Sequence, residues 1–216
     1  MKYVSIDIET SGLDPKVNKV LSIGAIIEDT ERPLTFERSP KFHAIIPQRS
    51  FMVSPRAAVI NMKLMEIIAM CHENPTKIEH IENITHSMVL EEKDVVQRFY
   101  NFLADNLEKD EMIPSTPITI NVAGKNFASF DRLFLEQLPK WQQLIKVRHR
   151  VIDPAVLLVD WSQDKSLPSL DECKQRAGID GKVEHDALSD AWDVIQVLRT
   201  FYTAPKKNRE NRQNHR

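Results

Sequence analysis

The sequence predicts an α/β chain on one mixed, five-stranded sheet: three antiparallel strands, then parallel additions, flanked by helices. Three observations predict it. Three β-patterned runs stand near the start, joined by connections short enough for antiparallel pairing. Beyond them helical and strand-like patterns alternate, which favours parallel additions. And 216 residues suffice for one well-buried domain but are short for two.

Each element has its own reason. Residues 3–9 alternate Val4, Ile6 and Ile8 with Ser5, Asp7 and Glu9, the period of two that marks a strand. Ser11-Gly12-Leu13-Asp14-Pro15 is turn chemistry. Residues 20–28 read as the second strand and 41–46 as the third, ending before Pro47. Residues 55–71 carry apolar residues at helical spacing, broken at Asn61-Met62 into two short helices. Residues 74–90 are polar and patternless, so they read as a surface excursion. Over 91–107, Val95, Val96, Phe99, Phe102, Leu103 and Leu107 make the stripe of an amphipathic helix. A loop over 110–117 leads to an apolar strand at 118–123 and a helix over 126–138 that stops before Pro139. Residues 150–152 supply the fifth strand, and Asp153-Pro154 opens a helix with Asp as N-cap and Pro at N1. A short helix over 167–177 ends at Gly178, and a long one covers 187–202. The domain is thus expected to be 1–204, followed by a basic tail, 205–216, with no apolar core of its own.

Composition narrows the class without naming it. A hydrophobic share of 42% with 28% charged residues fits a soluble globular chain, and the net charge of −2 gives no global positive field. Cys71 and Cys173 have no pairing pattern and read as buried free thiols. No signal-peptide pattern opens the chain and no apolar stretch is long enough for a bilayer, so a cytoplasmic location without membrane contact is expected. There is no internal repeat, glycine-rich phosphate loop or zinc-finger spacing.

The chemistry rests on four acids and a histidine: Asp7, Glu9, Asp131, His185 and Asp190. Taken singly, each has a plain structural explanation. Strand alternation accounts for Asp-x-Glu, and the helix macrodipole for an acid early in a helix. His185 could be a solvated loop histidine and Asp190 an exposed helical acid. Position argues for more. Asp7 and Glu9 leave one face of a strand expected at the sheet centre. Asp190 borders the apolar stripe of Ala187, Ala191, Val194, Ile195 and Leu198, where a carboxylate needs a cation or a donor. In a continuous helix His185 and Asp190 would lie about 140° apart, so His185 must sit on the preceding loop, with Asp186 capping the helix. Four converging acids repel one another unless divalent cations occupy the cluster. Hard oxygen ligands favour Mg²⁺ or Mn²⁺, and hence two-metal phosphoryl transfer.

On these elements the chain resembles the DEDD exonuclease superfamily, whose fold is ribonuclease H-like. Three motifs carry the resemblance: Asp-Ile-Glu-Thr-Ser-Gly-Leu, Asn-Phe-Ala-Ser-Phe-Asp and His-Asp-Ala-Leu-Ser-Asp. The match spans nearly the whole chain, residues 3–202. The histidine subclass (DEDDh) is indicated, since the tyrosine subclass needs Tyr four residues before Asp190, where Asp186 stands. The resemblance implies that Asp7, Glu9 and Asp190 hold one cation, Asp7 also holds a second, and Asp131 acts mostly through water. It implies His185 as general base, Glu9 as partner of a free 3′-hydroxyl, and Thr10, Leu13 and Asn126 as substrate contacts. Asp153 has a counterpart in many relatives, but helix capping accounts for it. The implied activity is 3′–5′ exonucleolytic release of nucleoside 5′-monophosphates from single strands.

The resemblance divides over the substrate. The Asn126 to Asp131 spacing, with Asp131-Arg132-Leu133-Phe134-Leu135 after it, is similar to oligoribonuclease. The His-Asp-Ala-Leu-Ser-Asp-Ala motif is more similar to DNA-trimming and proofreading relatives, and the stretch 49–90 is not typical of oligoribonuclease. DNA is therefore placed slightly ahead of RNA. A polymerase partner, tethered by the basic tail, and a non-catalytic nucleic-acid-binding subunit are the alternatives.

Overall fold

The computed structural model describes residues 1–108 and 114–203. The tail, and part of the loop expected over 110–117, lie outside the described residues. β1 (Lys2–Thr10) and β2 (Val20–Asp29) form the antiparallel centre, with Asp7 opposite Gly24 and Glu9 opposite Ser22. β3 (Lys41–Ile45) pairs antiparallel with β2 and sets His43 beside Gly24. α1 (Pro55–Ile60) starts at Ser54, whose side chain accepts from Ala57 N, and α2 (Met62–Glu73) follows the break at Asn61.

Residues 74–90 depart from the sequence reading. A 3-10 turn (Pro75–Lys77) leads into α3 (Ile78–Thr85), and β4 (Met88–Val89) pairs parallel with β3. The helix buries chiefly Ile81, a stripe too narrow to register as periodicity among polar neighbours. α4 (Glu92–Leu107) lays Val95, Val96, Phe99 and Leu103 on the sheet, where Phe99 meets Phe42 at 5.1 Å between ring centroids. Complete burial of such side chains contributes about 1.5–3 kcal/mol each.

The strand expected over 118–123 is divided at Asn121. β5 (Ile118–Ile120) leaves the main sheet, while β6 (Val122–Ala123) runs parallel to β1. The helix expected over 126–138 is only α5 (Asp131–Leu135). Asn126 has φ 61°, a left-handed conformation incompatible with a continuing helix, and its N–H is bonded to Asp153 Oδ2 at 2.9 Å. α6 (Trp141–Leu144) leads to β7 (Ile145–Val147), which joins β5 in a separate two-stranded parallel sheet. Residues 150–152 make one bridge, Ala123 to Ile152, and not a strand, because Asp153-Pro154 begins α7 (Pro154–Leu158) at once. The fifth strand of the main sheet is β4, and the order is β4-β3-β2-β1-β6. α8 (Leu170–Ala177) runs from a Ser169/Glu172 capping box to Gly178 at φ 72°, which favours glycine.

α9 (Ala187–Tyr202) covers the face of β1 and β2 opposite α4. Two contacts fix it there. Ser5 Oγ donates to Ala191 O at 2.7 Å, and Gly24 lies so close that a Cβ would overlap the backbone of Ala187 and Leu188. Cys71 and Cys173 are buried free thiols. Among the described residues no helix is long and apolar enough to cross a membrane.

Candidate active site

Ser5 faces α9, so the period of two turns Asp7 and Glu9 toward it too, while Ile6 and Ile8 enter the core under α4. α9 supplies Asp190 from its first turn. Its start is set by Asp186, whose Oδ1 accepts from Ser189 N at 2.9 Å. His185 sits just before that cap, exposed and at φ 54°. One ligand atom each from Glu9, His185 and Asp190 lies within 4.8 Å of the others. Asp131 opens α5, and its Oδ1 accepts from Ile8 N at 3.2 Å, so it meets β1 between Asp7 and Glu9.

The electrostatics are one-sided. Asp7 is pushed well above the usual carboxylate range by burial, and then by the charges of Asp131, Asp190, Glu9 and Asp186. Burial, with Asp190 next, raises Glu9 to about 8, against a bond from Asn61 that favours its charged form. Burial likewise raises Asp131 to about 7, although the Ile8 amide opposes it. Asp190 also rises to about 7, by burial and then by Asp193 and Asp186, with Lys174 opposing. Asp190 Oδ1 is buried without a hydrogen-bond partner. Repelling carboxylates with an orphaned oxygen are what hard divalent cations satisfy, so these residues fit the ions that the motifs imply.

The other expected site residues are placed less uniformly. Leu13 stands uncovered at 77% exposure on the turn after Glu9. Thr10 is buried, with its hydroxyl donating to Gly12 O at 2.8 Å. Asn126 is exposed and its Oδ1 accepts from Ser129 Oγ. Asp153 does more than cap. Its Oδ1 accepts from Ala155 N, while its Oδ2 holds the Asn126 turn that leads to Asp131.

Two residues were not singled out from the sequence. Asn61 bridges the α1–α2 break to β1 by donating Nδ2 to Thr10 O at 3.1 Å. With His43 it lines a cavity of about 710 Å³ that also contains Glu9, His185 and Asp186. The break in the helical pattern at Asn61 was the one available signal. Nothing in the sequence marked His43, whose place depends on β3 lying beside β2.

No protein-family model matches the chain. A DNA polymerase III PolC-type of Thermotoga petrophila is 27% identical over 207 residues, 95% of this chain and 12% of that protein. Escherichia coli Exonuclease I in complex with a dT13 oligonucleotide superposes with TM-score 0.56 at 16% identity, over 94% of this chain and 41% of that one. The zinc-bound form of the E. coli Exonuclease I–single-stranded DNA complex gives 0.56 at 17%, with the same two shares. The chain thus spans about an eighth of the polymerase and two fifths of the exonuclease. It has the ribonuclease H-like fold of that exonuclease, and Asp7, Glu9, Asp131, His185 and Asp190 stand along it in the order of the three sequence motifs.

Proposed function

We propose that the protein is a metal-dependent 3′–5′ exonuclease that releases nucleoside 5′-monophosphates from single strands, DNA ahead of RNA. The observation that carries this reading is the meeting of Glu9, His185 and Asp190 on a fold shared with Exonuclease I. The dT13 and zinc complexes of that relative support a single-stranded substrate and a divalent ion. In this reading Asp7, Glu9 and Asp190, with Asp131 through water, would hold two cations, Mg²⁺ or Mn²⁺. When bound, such ions activate the attacking water and stabilise the leaving oxygen.

The chain's own residues do the rest. Glu9 accepts a hydrogen bond from the terminal 3′-hydroxyl, and Leu13 packs against the last base without reading it. Thr10 shapes the turn between them, and Asn126 flanks the strand beyond. His185 takes the proton of the attacking water on an imidazole nitrogen, as its exposed loop position allows. The water oxygen bonds to phosphorus, the bond to the 3′ oxygen of the preceding nucleotide breaks, and that oxygen takes a proton from solvent as it leaves, His185 later returning its own proton to solvent. A second reading, a proofreading module serving a polymerase, is favoured by the PolC-type match; excision of mismatched ends that appears only with added polymerase would support it.

The test is a digestion of matched DNA and RNA oligonucleotides ending in 3′-hydroxyl or 3′-phosphate, with a circular single strand, in Mg²⁺ and then in EDTA. The linear 3′-hydroxyl strands should yield 5′-mononucleotides in Mg²⁺ only. A 3′-phosphate brings negative charge against Glu9 and should block release. Degradation of the circle, or equal rates on both termini, would overturn the reading.

A further inference from the structure

His43 has no part in the chemistry above, yet it forms the wall of the cavity that Glu9 and His185 share. Its side chain is only 11% exposed, and its polar neighbours come from three separate parts of the chain. Ser87, between α3 and β4, lies 2.8 Å from Nδ1. Ser22, on β2, is 3.4 Å from Nε2, and Asp186 Oδ2 is 3.8 Å from the same nitrogen. A carboxylate only accepts, so a hydrogen on the ring nitrogen facing it favours the contact. Ser87 Oγ holds the other edge of the ring and also bonds Thr85 O at 3.0 Å. Asp186 therefore has two tasks. One oxygen caps α9 through Ser189 N, and the other faces His43.

The residue before Asp186 is His185, held at φ 54°. A non-glycine residue in that region is strained and persists only where its surroundings determine it. Ala187, on the other side, is pressed against Gly24. The loop is thus held on its helical side by packing and by a bond between the Glu184 backbone and Asp190, and on its cavity side by the approach of Asp186 to His43 at 3.8 Å. We propose that His43 is a positioning residue, which through Asp186 orients the loop carrying His185, while Ser87 holds the far edge of the His43 ring. The proposal rests on the reading of His185 as proton acceptor.

The test uses His43→Gln, His43→Asn, His43→Ala and Ser87→Ala in the full chain, with thermal melting to verify folding. A glutamine places its amide N–H near the position of Nε2, whereas an asparagine reaches only toward Ser87. The His43→Asn and His43→Ala variants should lose about 10- to 100-fold in kcat with KM little changed, the scale of a misplaced catalytic group. His43→Gln should keep most of the rate. In a His185→Ala background the His43→Asn loss should vanish, because the two residues act as one. In the metal-free protein, the NMR imidazole signals of His185 should shift in His43→Ala and Ser87→Ala and stay in place in His43→Gln. Equal behaviour of Gln and Asn, an undiminished loss without His185, or unmoved His185 signals in His43→Ala would each overturn the proposal. A wild-type chain without nuclease activity would instead end the functional reading, and the spectra would still decide what His43 does.

Discussion

β1, β2 and α9 pack together and bury carboxylates at both of their ends, but the two ends differ in what accompanies those acids. At one end Glu28, 1% exposed, takes two bonds from Arg199 at 2.8 and 2.6 Å and a third from the Tyr202 hydroxyl at 2.7 Å. Arg199 also lies over the Trp192 ring, 4.8 Å from its centroid. At the other end Asp7, Glu9, Asp131 and Asp190 form no ion pair with a lysine or arginine among the described residues. Lys174 is near but committed to Asp193. Desolvation penalises both groups of acids. One end carries its cation on the last turn of α9, while the carboxylates at the other end face one another without a lysine or arginine partner among the described residues.

The largest effect expected from this contrast is that of Asp7→Asn. It removes the acid on which the other carboxylates bear, so nucleotide release should fall below detection. The metal-free protein should meanwhile melt at a higher temperature, since a repulsion is gone. A variant that cleaves at near wild-type rates, or that melts lower, would show the cluster to be balanced in another way. Next comes Gly24→Ala. The added methyl must displace the first turn of α9, and with it Asp190 and the His185 loop. Activity should drop by at least about 100-fold, as for other misplaced groups, and circular dichroism should still report a folded chain.

The opposite end should respond with the opposite sign. Glu28→Gln leaves the Arg199 charge buried without its partner and should cost about 3 kcal/mol in chemical denaturation. Cleavage by the folded fraction should be unchanged. If Asp7→Asn and Glu28→Gln shift stability in the same direction, the two ends do not differ as described.

The smallest effect is a pH dependence. Folded Glu9 keeps its proton up to about pH 8, against a reference value of 4.5, and Asp131 and Asp190 keep theirs to about 7 against 3.8. Between these limits the folded state binds more protons than the unfolded one. Its stabilisation is complete below pH 4 and lost as pH rises toward 8. The melting temperature of metal-free protein should therefore fall by several degrees between pH 5 and pH 8. Mn²⁺ at about 100 times its dissociation constant should restore about 2.7 kcal/mol at pH 8. A flat profile, or a metal response equal at both pH values, would remove the repulsion from the account.

Elements whose patterns are local were legible in residue order. Alternation marked β1, the apolar stripe marked α4, and Asp186 with Ala187 marked the start of α9, since caps and periodicities depend on neighbours within a turn or two. Motif order alone brought forward Asp7, Glu9, Asp131, His185 and Asp190 as a set. Features that depend on distant partners emerged only from the packed chain. Residues 74–90 became a helix and an edge strand because β3 had a free side to pair and Ile81 a core to enter. The helix expected from 126 was cut short because the Asp153 carboxylate holds Asn126 in a left-handed turn. The roles of Gly24 and His43 could not be seen at all, and that of Asn61 only as a break in the helical pattern, because each is a contact between segments far apart in the chain. Spacing along a chain carries no information on which side chains close packing will press together.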